Sequence, residues 1–419
     1  MNSQFNGAMM YRWFVAAFLL VLLLLTNRYL SVRDSDVLSI DSYNYLRIAT
    51  AFPRLPAPNS VLSAHHVQRF VLPYLAGGFS KVTGLSMNIS FRVFAIAGIL
   101  LIVGLLVTVL AKISQLSPFH SLWLVALQIL NPYSFRIYIA NPFLLNDIFF
   151  QVGSLVLVLG LLEESVSLSL LGICVAVCSR QTALLLLPPM LVWLTILWPK
   201  TKRRGAILTG VTGTLIVLLI YEITSRVAVH IAGTTVSIET VTGLLVWLRG
   251  SPNLRVIAEF GLRGLIGLAL PIAILLATLP WHKGIAQWSR EDRLRTGLLL
   301  GFAAMVASQP ILGGPAVTGR DITRLVLLAL PPLLIAVGIV FSYTTLGTEF
   351  WRQAFPLFIA ISAAASFHHT YSFLGIGTGS ERTNRFALVH FACGILLFLW
   401  LETLILSRSH SPANQDKRT

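Results

Sequence analysis

Residues 13–25 read WFVAAFLLVLLLL, an unbroken apolar run. A helix needs about 20 predominantly apolar residues to cross the hydrocarbon layer. With its flanks, roughly residues 10–30, this run has that length. Backbone polar groups in lipid pair only within their own segment, so the run is expected to be helical. It lacks an A-x-A-like cleavage site and leads into TNRYLSVRD, so an uncleaved first span is expected. Residues 39–52, SIDSYNYLRIATAF, follow almost at once and set a carboxylate, Asp41, at the head of a half-apolar stretch.

The rest of the chain repeats the first theme. Of 419 residues, 56% are hydrophobic and 11% charged, with a mean hydropathy of +0.79. A soluble domain carries about 25% charged residues. Apolar runs predict spans at roughly 10–30, 88–112, 119–137, 143–162, 166–180, 181–198, 205–224, 261–281, 296–312, 322–342, 353–368 and 386–406. The expected fold is therefore all-α, a polytopic bundle of about twelve spans forming one integral membrane domain over residues 1–419. The runs 166–180 and 181–198 are short and abut at Arg180, which fits two spans or a broken, re-entrant pair. No fixed-period repeat and no low-complexity linker interrupts the pattern.

The net charge of +15, from 31 basic and 16 acidic residues, reads as membrane topology. Lys and Arg gather in cytoplasmic loops, and no compact basic domain or nucleic-acid motif is present. The densest clusters, WPKTKRRG (Lys200 to Arg204) and WHKGIAQWSREDRLR (Lys283 to Arg295), fall on one side with the basic tail 407–419. That side is expected to be the cytoplasm of a bacterial inner membrane, with both termini inside. The assignment requires HHVQRFVLPYLAGGFSKVTG (65–84) to lie along the outer surface without crossing. Cys174, Cys178 and Cys393 all sit in apolar runs and read as packing residues.

The opposite, outer face then collects polar groups. Its first loop, 31–87, holds Asp34, Asp36, Asp41, Arg47, Arg54, His65, His66 and Arg69. NPYSFRIYIANPFLLND brings Arg136, Asn146 and Asp147, and the Arg180–Gln181 junction lies nearby. A second loop, 225–260, carries Arg226, His230 and Arg249, and two late loops add Arg320, Arg324, His368 and His369. Arginine on this face raises the cost of insertion, which points to a use.

Within the first loop, Asp41, Tyr45 and Ala49 share one helical stripe, and Ile40, Asn44 and Ile48 the next. Asp at a helix start is a natural cap. It is also a candidate general base if an attacking hydroxyl comes within hydrogen-bond reach. The two roles are compatible, since a cap fixes the side chain.

The pattern of a first span followed by D-x-x-x-Y-x-x-I-A (Asp41, Tyr45, Ile48, Ala49) resembles the GT-C integral membrane glycosyltransferases. These include protein O-mannosyltransferases and lipid A aminoarabinose transferases. TGRDITRLVLLALPPLL (318–334) is similar to the R-Y-x-x-x-x-x-P segment opening a late span in many of them. The resemblance implies a polyprenyl-phosphate-linked sugar donor, transfer at the outer membrane boundary, and inversion at the anomeric carbon. It places the catalytic carboxylate at Asp41. The aminoarabinose-type form has D-E here, whereas this chain has Asp41-Ser42, leaving Asp34 and Asp36 as the candidates for a second carboxylate. The acceptor is a lipid, a glycan or a protein, and the membrane lipids themselves are partners.

A lipid phosphate leaving group calls for bidentate, permanently charged donors. Arg69, Arg136, Arg180, Arg320 and Arg324 all stand near outer span ends, with Tyr45, His66 and Asp147 completing the candidate binding set. Each arginine alone also fits snorkelling or a local pair such as Arg320 with Asp321. Asp147 fits either a functional carboxylate or a partner for Arg136 or Arg180. The pairs His65–His66 and His368–His369 match no metal spacing, so no cofactor is expected, and a divalent metal has no motif to support it. Two other readings use the same outer cluster: a transporter or flippase, which wants ionisable groups at mid-membrane, and a polysaccharide polymerase.

Overall fold

The computed structural model describes residues 2–28, 40–58, 62–113, 118–234, 254–278, 288–318 and 322–343, with scattered positions in 242–250, 359–367 and 392–400. The described elements are helices, with no β-strand among them. Eleven are named here: α1 (Asn2–Leu25), α2 (Ile40–Thr50), α3 (Ala64–Val67), α4 (Val71–Thr83), α5 (Met87–Ile113), α6 (Pro118–Leu130), α7 (Phe135–Ala140), α8 (Leu145–Leu162), α9 (Val166–Ser179), α10 (Leu187–Ile196) and α11 (Arg203–Ala232).

Four stretches are long and apolar enough to cross a membrane: Met87–Ile113, Leu145–Leu162, Lys200–Ala232 and Ile322–Ser342. Trp13–Leu25, Ser121–Leu130, Val166–Ser179 and Gln181–Ile196 are shorter apolar helices. The chain is thus a helical membrane protein. The predicted spans 353–368 and 386–406, and the tail 407–419, lie largely or wholly outside the described residues.

The four long stretches differ in burial. Ile322–Ser342 is 89% buried within the protein and Lys200–Ala232 only 28%. The first is the axis of the bundle; the second offers most of its surface, including Leu215 and Leu219, to its surroundings. The core is continuous and aliphatic, with Phe91, Phe135, Tyr138, Phe150 and Phe302 as its large aromatic members.

Two helix boundaries differ from the sequence reading. The predicted span 261–281 is two helices, Leu254–Ile266 and Ala269–Thr278. Gly267 stands at the break, and Pro271, in the first turn of the second helix, has no amide to donate back across it. The predicted loop 225–260 begins late, because α11 continues through Arg226 and His230 to Ala232. Nothing breaks it before Gly233, whose φ of +75° makes it a left-handed C-terminal stop.

α8 and α9 form the most intimate helix pair. A methyl group added at Gly153 would overlap the Ala176 backbone, and one at Gly172 the Leu157 backbone. Small residues let the two backbones touch, which is how helices associate in lipid without a hydrophobic drive. The same device seats α4 on α2, where a methyl at Gly77 would overlap the Ala49 carbonyl. α4 has 13 residues, about 20 Å at the helical rise. That falls short of the ~30 Å hydrocarbon layer.

Two interruptions share a design. α9 ends at Ser179, Arg180 is extended at φ −151° and ψ 144°, and a 3-10 turn, Gln181–Leu186, leads into α10 with Pro188 and Pro189 in its first turn. Likewise Arg324 lies in Ile322–Val326, followed by a 3-10 turn, Leu327–Ala329, and a helix opening on Pro331 and Pro332. Proline withholds an amide from the preceding turn, which tightens to 3-10 geometry. Each arginine therefore sits just before a local break.

Candidate functional site

The centre of the site is Asp147, the third residue of α8. Its Oδ1 accepts from Arg180 Nη1, and its Oδ2 accepts from Arg324 Nη1 at 2.6 Å. The side chains of Asp147, Arg180 and Arg324 are 2%, 3% and 11% exposed, so the bridge is close to dry. The sequence left Asp147 to Arg136 or Arg180; the structure gives it to Arg180 and Arg324.

The first-loop helices close on this bridge. In α2, Ser42, Asn44, Tyr45, Ile48 and Ala49 are buried while Tyr43, Arg47 and Thr50 are exposed. Of the two stripes read from the sequence, Asn44, Tyr45, Ile48 and Ala49 therefore face inward. Tyr45 meets the His66 ring edge-on at 5.0 Å. His66, in α3, is buried and its Nδ1 pairs with Ser63 Oγ, at the N-cap of α3. Tyr45 and Arg69 both stand within electrostatic range of Arg180. Arg69 Nε donates to Gln181 Oε1 at 3.1 Å, and Gln181 Nε2 donates to the Gln68 carbonyl at 3.0 Å. These bonds pin the α3–α4 corner to the residue after Arg180. Among the described residues, Arg69, Arg180 and Arg324 stand in one locality with Asp147.

Asp41 enters through its neighbour. Asp41 lies in the first turn of α2 (Ile40–Thr50). Ser42 Oγ donates to Asn141 Oδ1 at 3.1 Å, tying this turn to the α7–α8 connection that delivers Asp147. Asp34, Asp36, Arg320, His368 and His369 lie outside the described residues.

Arg136 is the departure from the expected set. It is fully buried and directed away from Asp147. Its Nε donates to Ser366 Oγ at 3.0 Å, Nη1 to the Thr26 carbonyl at 3.2 Å and Asn27 Oδ1 at 3.1 Å, and Nη2 to Thr26 Oγ1 at 3.3 Å. The Phe367 ring covers it at 5.4 Å. The guanidinium fork has its acceptors, all neutral, and serves as a staple between the end of α1, α7 and Ser366–Phe367. Among the described residues, no group of three or more His, Cys, Asp or Glu is placed to hold a metal.

A second buried polar network lies one turn along α8 from Asp147. Gln151, one turn beyond Asp147 on α8, donates to Tyr138 OH at 3.0 Å, and Gln128 Nε2 donates to Gln151 Oε1 at 3.3 Å and Ser134 Oγ at 3.1 Å. The sequence reading did not single out Gln128, Gln151, Gln68 or Tyr138. Glutamines inside apolar runs are the signal that could have found them, because a buried amide without partners is costly.

Chemically, a carboxylate held between two guanidiniums is an anion seat already filled by an internal anion. Comparison with protein-family models, with curated proteins and with solved structures returned no match. The site is read from its own chemistry.

Proposed function

We propose that the protein is a membrane glycosyltransferase that moves a sugar from a polyprenyl-phosphate donor to an acceptor at the outer face of a bacterial inner membrane. One observation carries the reading: Arg180 and Arg324, distant in sequence, converge on Asp147 near Tyr45 of α2, the helix that also holds Asp41, and near Arg69 in the α3–α4 corner. Asp41 takes the proton of the acceptor hydroxyl. The new C1–O bond forms as the C1–O(phosphate) bond breaks, and its electron pair leaves with the lipid phosphate. Inversion follows from attack on the face opposite the leaving group. Arg69, Arg180 and Arg324 stabilise the charge that develops on that phosphate, and the rest of the rate comes from positioning. The amphipathic α2–α4 segment lies along the outer boundary, where donor and acceptor meet.

The test is transfer from a radiolabelled polyprenyl-phosphate sugar in proteoliposomes, with envelope glycans from a deletion strain read by mass spectrometry to identify the product. Labelled product that disappears with Asp41→Asn supports the reading; wild-type transfer by that variant overturns the base assignment.

The transporter reading has one observation in its favour, the buried Tyr138–Gln151–Gln128–Ser134 chain, whose Gln151 lies one turn from Asp147 on α8. It expects substrate accumulation in vesicles with no covalent product.

A further inference from the structure

Asn146 is 1% exposed, and neither its Oδ1 nor its Nδ2 has a hydrogen-bond partner among the described residues. A buried amide with both ends unpaired is among the more costly states a side chain can hold, and native proteins seldom leave it so. Its chain neighbour is Asp147, whose ion-pair partner Arg180 has a second unsatisfied atom, Nε. Both residues of the Asn146–Asp147 pair lie in the first turn of α8, an 18-residue helix that no side chain caps. Asn146 thus adjoins Asp147 in the chain, and Arg180 is held by Asp147, all at the N-terminal turn of α8.

The unpaired atoms specify what is missing. Arg180 Nε is a donor and asks for an acceptor, as an anion supplies. Asn146 asks for an acceptor at Nδ2 and a donor at Oδ1. A fully ionised phosphate supplies acceptors only, so it leaves Oδ1 unsatisfied. A hydroxyl or acylamino group supplies both. We infer that Asn146 is a specificity residue reading a hydroxyl or acylamino group of a sugar whose phosphate is held by Arg180 and Arg324. The inference rests on the reading of the arginine cluster as the donor site, and names the part of the donor that the arginines cannot distinguish. Arg180 and Arg324 each precede a 3-10 break.

The experiment uses the full chain in nanodiscs and equilibrium binding of inorganic phosphate, glucose 1-phosphate, mannose 1-phosphate and N-acetylglucosamine 1-phosphate. At least one sugar phosphate is expected to bind about tenfold more tightly than inorganic phosphate. Asn146→Leu is expected to remove that advantage and leave inorganic phosphate binding unchanged. Asn146→Ser, which keeps a group that both donates and accepts, is expected to retain part of it, and stands as the folded variant should leucine disturb the helix. Equal binding of all four probes by the wild type, binding of none, or equal weakening of every probe in the variants overturns the inference. Transfer assays of Asp41→Asn report on the base and not on this discrimination, so either proposal can fail while the other stands.

Discussion

Arg324 donates to Asp147 across 177 positions of sequence, at 2.6 Å, and closes a bridge that Arg180 completes from the other carboxylate oxygen. Two guanidiniums on one buried carboxylate is an arrangement whose loss is asymmetric. Removing the acid takes a carboxylate from both guanidiniums; removing one arginine leaves Asp147 its other partner.

Asp147→Asn is therefore expected to destabilise the protein by about 3–5 kcal/mol, the cost of leaving a buried charge uncompensated. Unfolding in denaturant, followed in detergent micelles, measures it. The double variant Asp147→Asn with Arg324→Met is expected to recover part of that loss, and a fully additive double variant would show that the two residues do not interact.

Arg136→Lys keeps the charge and loses the fork. A lysine ammonium is a point donor and cannot reach Ser366, Thr26 and Asn27 together. A loss of about 1–3 kcal/mol is expected from the acceptors left unpaired, measured by the same unfolding assay. Phosphate binding is expected to stay at the wild-type level, which separates this staple from the Asp147 cluster.

Gly77→Val drives a side chain into the Ala49 carbonyl. Overpacking of this kind costs about 1–3 kcal/mol and moves backbone. The backbone in question is α2, so sugar transfer is expected to fall much further than phosphate binding. An equal fall in both would place the effect on global folding.

Asp41→Asn is expected to lower transfer by about 10²–10⁴-fold, the usual contribution of a general base, with donor binding retained. A variant that binds and transfers normally assigns the proton elsewhere.

The class of fold was legible because lipid leaves the backbone few choices. Apolar length alone places α5, α8, α11 and Ile322–Ser342. The stripe positions Asn44, Tyr45, Ile48 and Ala49 of α2 follow from periodicity, and the charge of Arg180 between two short runs marked that junction as two spans or a broken pair. The partner of Asp147 was not. Arg136, Arg180 and Arg324 are chemically equivalent in sequence, and the bonds of Arg136 to Thr26 and Asn27, just past the end of α1, take it elsewhere. Both partners do share a signature, an arginine seven or eight residues ahead of a Pro-Pro pair, at Arg180 with Pro188–Pro189 and Arg324 with Pro331–Pro332. The orphaned Asn146 is a property of the folded interior, since an asparagine beside an aspartate otherwise reads as an ordinary helix start.

The outlying helix α11 offers experimental access. Leu215 and Leu219 point away from everything the bundle needs, at 60% and 61% exposure. A fluorophore or spin label tethered at either position leaves the core untouched. On the same helix Ser225 accepts from Gln68 at 2.6 Å, one residue from Arg69. A reporter on that rod is thus mechanically joined to the corner where the chemistry is proposed, and reads its movements from the lipid side.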